Sequence, residues 1–436
     1  MTMRRLIAFF RDEAGMGTFF SFFLVVTLMM LGGYAIDVQN LMAARTRLQV
    51  TVDATAHAAL LARETMSAAA AAEAAVAVAA RNMPPGRYGA IVRPEDVVFG
   101  RWNETSRSFV PDAGSRSAVQ VTAWQVDERG NPVDTYLLRI LGIDDWQLFR
   151  TSVFSTYRPS CLREGFVADG VVDLQSNNTY TNGFCIHSNS YVSLNSNNTF
   201  EPGTVVSMAD LDDLELPNSG YATNLGLERA LREGSWHIRI VSRIDDIIAR
   251  LEAFDPEIMP DYIRGTGFRV LPDNRVQDSE LEDGYAYRYS CGTSGNQTLT
   301  IDNNVRIREN VIITDCRISY SSGVRIEDAV VVSKHLSDNS HNASAGLVIG
   351  KDDGCAPGGG AQLVTMGGMD FAADLHIYGS QLLAMGDIEF AANAEGVEGA
   401  AMVAGGTISG TSNMNMGFCG TGMDDNFHAA YFKLVR

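Results

Sequence analysis

Six cysteines, Cys161, Cys185, Cys291, Cys316, Cys355 and Cys419, and a few close-set acids are the residues of this chain whose types and spacing could do chemistry. Thiolates ligate metals or attack electrophiles. No Cys-x-x-Cys occurs, however, and the seven histidines are scattered, so neither a zinc knuckle nor a zincin helix is spelled out. All six cysteines lie beyond a long apolar N-terminal run; an even count on an exported side predicts disulfides, with buried free thiols as the alternative. Cleavage of a glycan needs two carboxylates facing one groove. "GKDDGC" at Gly350–Cys355 supplies Asp352 and Asp353, yet neighbours on a strand point to opposite faces, so the pair reads as a turn. Asp245 and Asp246 accompany Ile240, Ile244, Ile247, Ile248 and Leu251 on an amphipathic stretch and read as its solvated side. These residues predict no catalytic site, no metal, no cofactor and no small-molecule substrate. The formal charge of -18, with no basic stripe, excludes nucleic acid as a partner.

The elements that must position the cysteines announce themselves by repetition. "VDLQSNNTY" at Val172–Tyr180 returns as "VSLNSNNTF" at Val192–Phe200, about 20 residues on. In "VRIRENVIITDCRISYSSGVRIEDAVVVS" apolar triplets at Val305–Ile307, Val311–Ile313, Arg317–Ser319, Val324–Ile326 and Val330–Val332 follow each other at steps of about six or seven residues. Three such steps match the length of the first repeat, and similar short strands recur in "AGLVIG", "AQLVTMGG", "DLHIYG", "QLLAMGDIEF", "AAMVAGG" and "GTISG". The pattern predicts a parallel β-helix-like (solenoid) domain over 159–436, with a helical insertion at about 222–263; the alternative is a sandwich of meandering strands. In that register Leu174 stacks near Leu194 and Asn178 near Asn198, at about 4.8 Å. Cys161 to Cys185 and Cys291 to Cys316 each span about one coil plus a turn, which predicts staples between neighbouring coils; Cys355 with Cys419 follows by elimination.

Ahead of this region the chain changes character. No charged side chain occurs through "GMGTFFSFFLVVTLMMLGGYAI", so residues 14–36 are long enough to cross a bilayer core of about 30 Å as a helix. Arg4, Arg5 and Arg11 precede it and favour a cytoplasmic segment 1–13, with everything after Asp37 exported. The competing reading is a cleaved signal, with Gly33 and Ala35 near the cleavage position; the length of the run and its unbroken helical continuation favour retention. Residues 37–82 contain neither Gly nor Pro and carry a ridge of Leu41, Ala44, Leu48, Val52, Ala56 and Ala59. Together the two segments predict one rod of about 65 residues, close to 100 Å long. "MPPGRYG" ends it, and "DVVFGRW", "RSFV", "AVQVTAW" and "QLFRTSVFSTY", with a helical turn in "TYLLRILG", predict a small α+β unit over 83–158. A long apolar helix carrying a compact exported sheet is a pilin-like plan.

This N-terminal part resembles the TadG-like and TadE-like proteins of Flp (Tad) pilus assembly in Gram-negative bacteria. The likeness runs from residue 1 to about 158. It rests on an acidic-Gly entry at Asp12–Gly15, a Gly-x-Ala-x-Asp exit at Gly33–Asp37, and Arg45, Leu48, Gln49, Asp53 and Ala54 on the helix beyond. Members processed by a peptidase carry Glu five residues after the entry glycine, where Phe20 stands here, so the resemblance fits the uncleaved type. Many relatives continue into a von Willebrand A-type domain with an Asp-x-Ser-x-Ser metal motif. Asp338, Ser340 and Asn342 come nearest, with the wrong third residue and a polar lead-in.

The fold class expected is therefore α+β with a β-rich exported region: a membrane-anchoring helix, a small pilin-like unit, then the solenoid. The function expected is a non-enzymatic, single-pass inner-membrane component of the Flp (Tad) pilus and secretion system, with secretin, platform and pilin proteins as partners and the C-terminal region in the periplasm or at the cell surface. Two alternatives remain: a surface adhesin or glycan-binding β-helix protein, and a polysaccharide-active β-helix enzyme.

Overall fold

The computed structural model describes residues 16–292, 297–410 and 412–436. The chain divides into two compact units, residues 1–157 with 431–436, and residues 158–430.

In the first unit, α1 (Met16–Arg63) is a single helix whose early part is exposed on nearly every side. It does not continue as the expected rod. The helix stops at Arg63, and α2 (Ala68–Asn82) folds back on it. The physical reason lies in four residues between the helices: Ser67 takes an extended conformation and its hydroxyl accepts from the Ala70 amide, an N-cap that starts a new helix. Arg63 holds the turn by donating to the Met66 and Gly114 carbonyls. The alanine tract then brings Ala71, Ala72, Ala75 and Ala79 against Leu48, Val52, Ala56 and Ala59, where larger side chains would hold the helices apart.

The hairpin packs on an antiparallel sheet made from β1 (Val97–Asn103), β2 (Ser108–Pro111), β3 (Ala118–Gln125) and β4 (Leu148–Tyr157), in the order β2-β1-β3-β4. Val97, Phe99, Val119, Val121 and Ala123 face the helices, following the alternation of a half-buried sheet. A fifth strand, Tyr431–Leu434, pairs with β4 in the register Tyr431↔Tyr157. The C-terminus therefore belongs to the first unit and not to the exported domain expected over 159–436. The second unit is an insertion between two neighbouring strands of the first unit's sheet.

Among the described residues, the second unit is built on a parallel sheet of 22 strands. Val172, Ser193's partner Asp173, and Leu174 lie beside Val192, Ser193 and Leu194; Thr179 and Tyr180 lie beside Thr199 and Phe200. This parallel register excludes the sandwich of meandering strands. Chain order and spatial order differ. Strands at 165–180, 185–200 and 205–208 stack outward, and the chain then crosses to begin a second series at Phe268–Val270. That series returns until Ala401–Ala404, Ile408–Gly410 and Asn415–Gly417 pair with 165–168, 172–174 and 179–180. The last strands of the wall in chain order thus pair with its first, in the middle of the stack.

Strands such as "VIIT" and "VVVS" carry three successive apolar residues because both faces are covered. Ile312, Val331, Leu363, Leu382 and Met402 point into the interior, with Phe166, Tyr180 and Phe390. Their neighbours Val311, Ile313, Val330, Val332, Val364, Leu383 and Val403 point outward, onto Ile244, Ile247, Ile248 and Leu251 of α3 (Ile244–Glu252). The expected helical insertion is shorter than 222–263: Leu231–Glu233 is a strand of the wall, pairing with Val206–Met208, and α3 is the covering helix. Arg306–Ile307 of the first triplet and Val311–Ile313 of the second fall in one bent strand, Arg306–Thr314, in which Glu309 takes a left-handed conformation at the corner.

Candidate functional site

Of the residues singled out on the N-terminal helix, two are brought together with a distant loop. Asp37 is fully buried, and its carboxylate accepts three backbone amides, from Tyr136 (2.6 Å), Leu137 (2.9 Å) and Leu138 (2.7 Å). Burial pushes its pKa up, but the three donors and the Arg139 guanidinium outweigh that and hold the carboxyl below its ordinary range. One turn earlier Gly33 faces Leu137 so closely that an added Cβ would come within 2.9 Å of the leucine side chain. Asn40 donates to the Asp134 carbonyl at 3.2 Å. The Gly-x-Ala-x-Asp exit is thus a socket for the loop between β3 and β4, a partner that nothing in the helix sequence identified. The signal was present in "TYLLRILG", whose apolar residues are too many for an ordinary solvated turn.

The other motif residues are structural. Leu48 is in the core of the first unit. Gln49 donates to Asp53 at 2.8 Å along the helix, and Arg45 is exposed. Gly15 lies outside the described residues.

All six cysteines are paired: Cys161 with Cys185, Cys291 with Cys316, and Cys355 with Cys419, with Cα separations of 4.9, 5.5 and 5.9 Å. The second pair joins neighbouring strands, because Tyr289 pairs with Thr314 and each cysteine follows two residues later. The first does not follow the coil spacing. Gly165 is the residue opposite Cys185, and Cys161 reaches it from a helical turn before the strand begins. The third closes over Gly399, where a Cβ would meet the Cys419 sulfur at 2.5 Å.

Among the described residues, the groups of metal-ligand type are Cys291, Asp315 and Cys316, and Cys355, Glu398 and Cys419. In both, the sulfurs are committed to disulfides, and the thiolate needed for ligation is gone. Asp338, Ser340 and Asn342 do not converge: Ser340 is buried and accepts from the Thr365 hydroxyl at 2.9 Å, and Asn342 sits in a strand accepting from Ser319. Asp353 accepts the Ala356 amide in a loop and Asp352 is exposed, while Asp246 pairs with Arg243 at 3.0 Å on the solvated side of α3. One group was missed from the sequence: His187 lies 2.8 Å from the Ser207 hydroxyl and 3.0 Å from Asn189 Oδ1. Trp236 stacks on the ring at 4.4 Å, and Ser207 is buried. Burial depresses the imidazole pKa. The bond to Ser207 ties two neighbouring strands together beneath an indole.

A sequence family described as Tad-like Flp pilus-assembly matches residues 54–153, and one described as a domain of unknown function, DUF7867, matches residues 165–420. No curated protein and no solved structure matches the chain.

Proposed function

From a chain that belongs to the DUF7867 family and carries a Tad-like Flp pilus-assembly segment ahead of that domain, we propose a non-enzymatic, membrane-anchored component of the Flp (Tad) pilus and secretion system. The observation that carries the reading is the coincidence of the pilus-assembly match with a helix that runs unbroken back into an exposed apolar stretch of membrane-spanning length. In this reading residues 14–36 cross the inner membrane once. The helix hairpin and its sheet form a pilin-like unit just outside, and the inserted parallel wall is a β-solenoid exposed to the periplasm or the cell surface. Three disulfides suit such an oxidising compartment. The partners are the secretin, platform and pilin proteins of the same machine.

A second reading, a surface adhesin, draws on rows of amide side chains at the corners of the wall, where Asn195 donates to Gln175 and Asn177 to Asn413. Deleting the gene separates the two. The assembly role predicts loss of pili and co-purification with the secretin and platform. Normal piliation with impaired attachment would replace it with the adhesin reading, and normal piliation with normal attachment would reject both.

A further inference from the structure

The loop held by Asp37 exposes an apolar surface where the helix leaves its apolar run. Ile140 is 77% exposed, Tyr136 61% and Leu141 57%, with Leu137 and Ile143 also exposed. A helical turn at Leu138–Leu141, ended by Gly142 in a left-handed conformation, places these side chains on one short protrusion.

The depth of this protrusion follows from helix geometry. Leu137 touches Gly33, three residues before Ile36, hence about 4–5 Å inside the end of the apolar run. With residues 14–36 filling the hydrocarbon core, Leu137 lies at the level of the outermost acyl-chain segments. Tyr136 and the exposed Arg139 are of the types that sit at the headgroup boundary.

A loop at that depth must satisfy its own backbone, because no water is there to do so. This one does. Asp37 takes the amides of Tyr136, Leu137 and Leu138. The amide of Thr135 goes to Asp144, that of Ile140 to Leu137, that of Gly142 to Arg139 and that of Ile143 to Leu138. The Thr135 hydroxyl serves the Ile143 carbonyl. Internal bonding of most backbone amides together with outward apolar side chains is what a lipid surface selects for, whereas a solvated loop needs neither.

We propose that the Tyr136–Ile143 loop is a second membrane contact, seated in the leaflet from which α1 emerges, with Ile140 and Leu141 among the acyl chains. The proposal rests on the anchoring of α1 and adds to it: the first unit would be held against the bilayer at two points, which fixes its tilt and rotation.

The test uses the full chain in vesicles of phosphatidylethanolamine and phosphatidylglycerol. An environment-sensitive fluorophore is placed at Ile140→Cys, Leu141→Cys, Leu28→Cys or Val110→Cys, the native cysteines remaining in their disulfides. Lipids carrying quenchers at shallow or deep acyl positions then report depth. The expected result is loss of emission at positions 140 and 141 with the shallow quencher, at position 28 with the deep one, and no loss at position 110. Quenching at 28 but not at 140 or 141 overturns the loop contact and leaves the anchor intact. Absence of quenching at all four sites rejects the anchor itself. Blue-shifted but unquenched emission at 140 would mean that a protein covers the loop, which also overturns the lipid assignment.

Discussion

In each Ser-Asn-Asn-Thr turn the two asparagines do different work. Asn177 and Asn197 take left-handed backbones that most residues resist, while Asn178 and Asn198 are fully buried. The Asn198 side-chain carbonyl accepts the Asn178 backbone amide at 2.9 Å, the Asn178 side-chain carbonyl accepts the Met414 backbone amide at 3.0 Å, and the Asn198 side-chain amide donates to the Asn195 backbone carbonyl. Each buried side chain therefore closes its own turn and caps the next coil. Asn198→Ala strands buried partners on both sides, and should lower unfolding stability by about 2–3 kcal/mol in a denaturant titration. Asn195→Ala, on the exposed row, should stay within about 0.5 kcal/mol. His341 gives a pH dependence. It is buried, accepts from the Tyr320 hydroxyl at Nδ1 and donates from Nε2 to the Val364 carbonyl, so it is neutral, and burial pushes its pKa down to about 4. The unfolded chain takes up a proton first as pH falls below about 6.5, so stability is lost between about pH 6.5 and 4 and then levels off, a cost of about 3 kcal/mol. His341→Gln should flatten that window, leaving the smaller slope due to His187, His335 and His428, whose pKa values burial also lowers. An unchanged slope would show that His341 is not the group responsible.

For the elements, the consequential feature is the close approach of α1 and α2. Ala75 is fully buried between them, whereas Ala77 is exposed two residues away on the same helix. Ala75→Leu must either push the helices apart or distort a rotamer, at about 1–3 kcal/mol; Ala77→Leu should be near neutral. Thermal unfolding of the two variants in detergent checks this, and equal melting temperatures would mean that the hairpin is not tightly packed. The socket is a second element-scale device. Asp37→Ala frees three amides of the 136–138 segment, so limited proteolysis between Tyr136 and Ile143 should accelerate relative to the native protein.

The whole chain leaves the first unit after β4 and returns to pair beside it, so the first unit's sheet is completed only after the second has been made. Ending the chain at Ala430 removes Tyr431–Leu434 and bares the β4 edge, while every strand of the parallel wall is retained. Proteolysis of the truncated chain should degrade residues 97–157 faster and leave 165–420 resistant. Phe432→Ala, which removes a half-buried ring packed on the hairpin core, should cost about 1–2 kcal/mol and act on the same unit. Loss of resistance in 165–420 with the first unit intact would contradict the division.

Local rules determined what lay within a few residues or one repeat. The uncharged run, four strands of the first unit, the register of Leu174 on Leu194 and the Cys291–Cys316 staple were legible. Each depends on a periodicity or spacing that the backbone enforces wherever the chain is placed. The other two cysteine pairs agree with expectation for other reasons: Cys161 reaches Cys185 from a turn outside the strand register, and Cys355 with Cys419 was what remained. Only the tertiary structure decided the rest. The rod broke at Ser67 because a capped turn let an alanine face find the helix already made, and propensity alone cannot weigh that contact against continuation. Asp37 acquired its role from amides 99 to 101 residues away, residues 401–404 of the last strands paired with 165–168 of the first, and the C-terminal strand crossed the domain boundary. Backbone amides look alike in every sequence, so nothing in the order of side chains could say which of them these groups would meet.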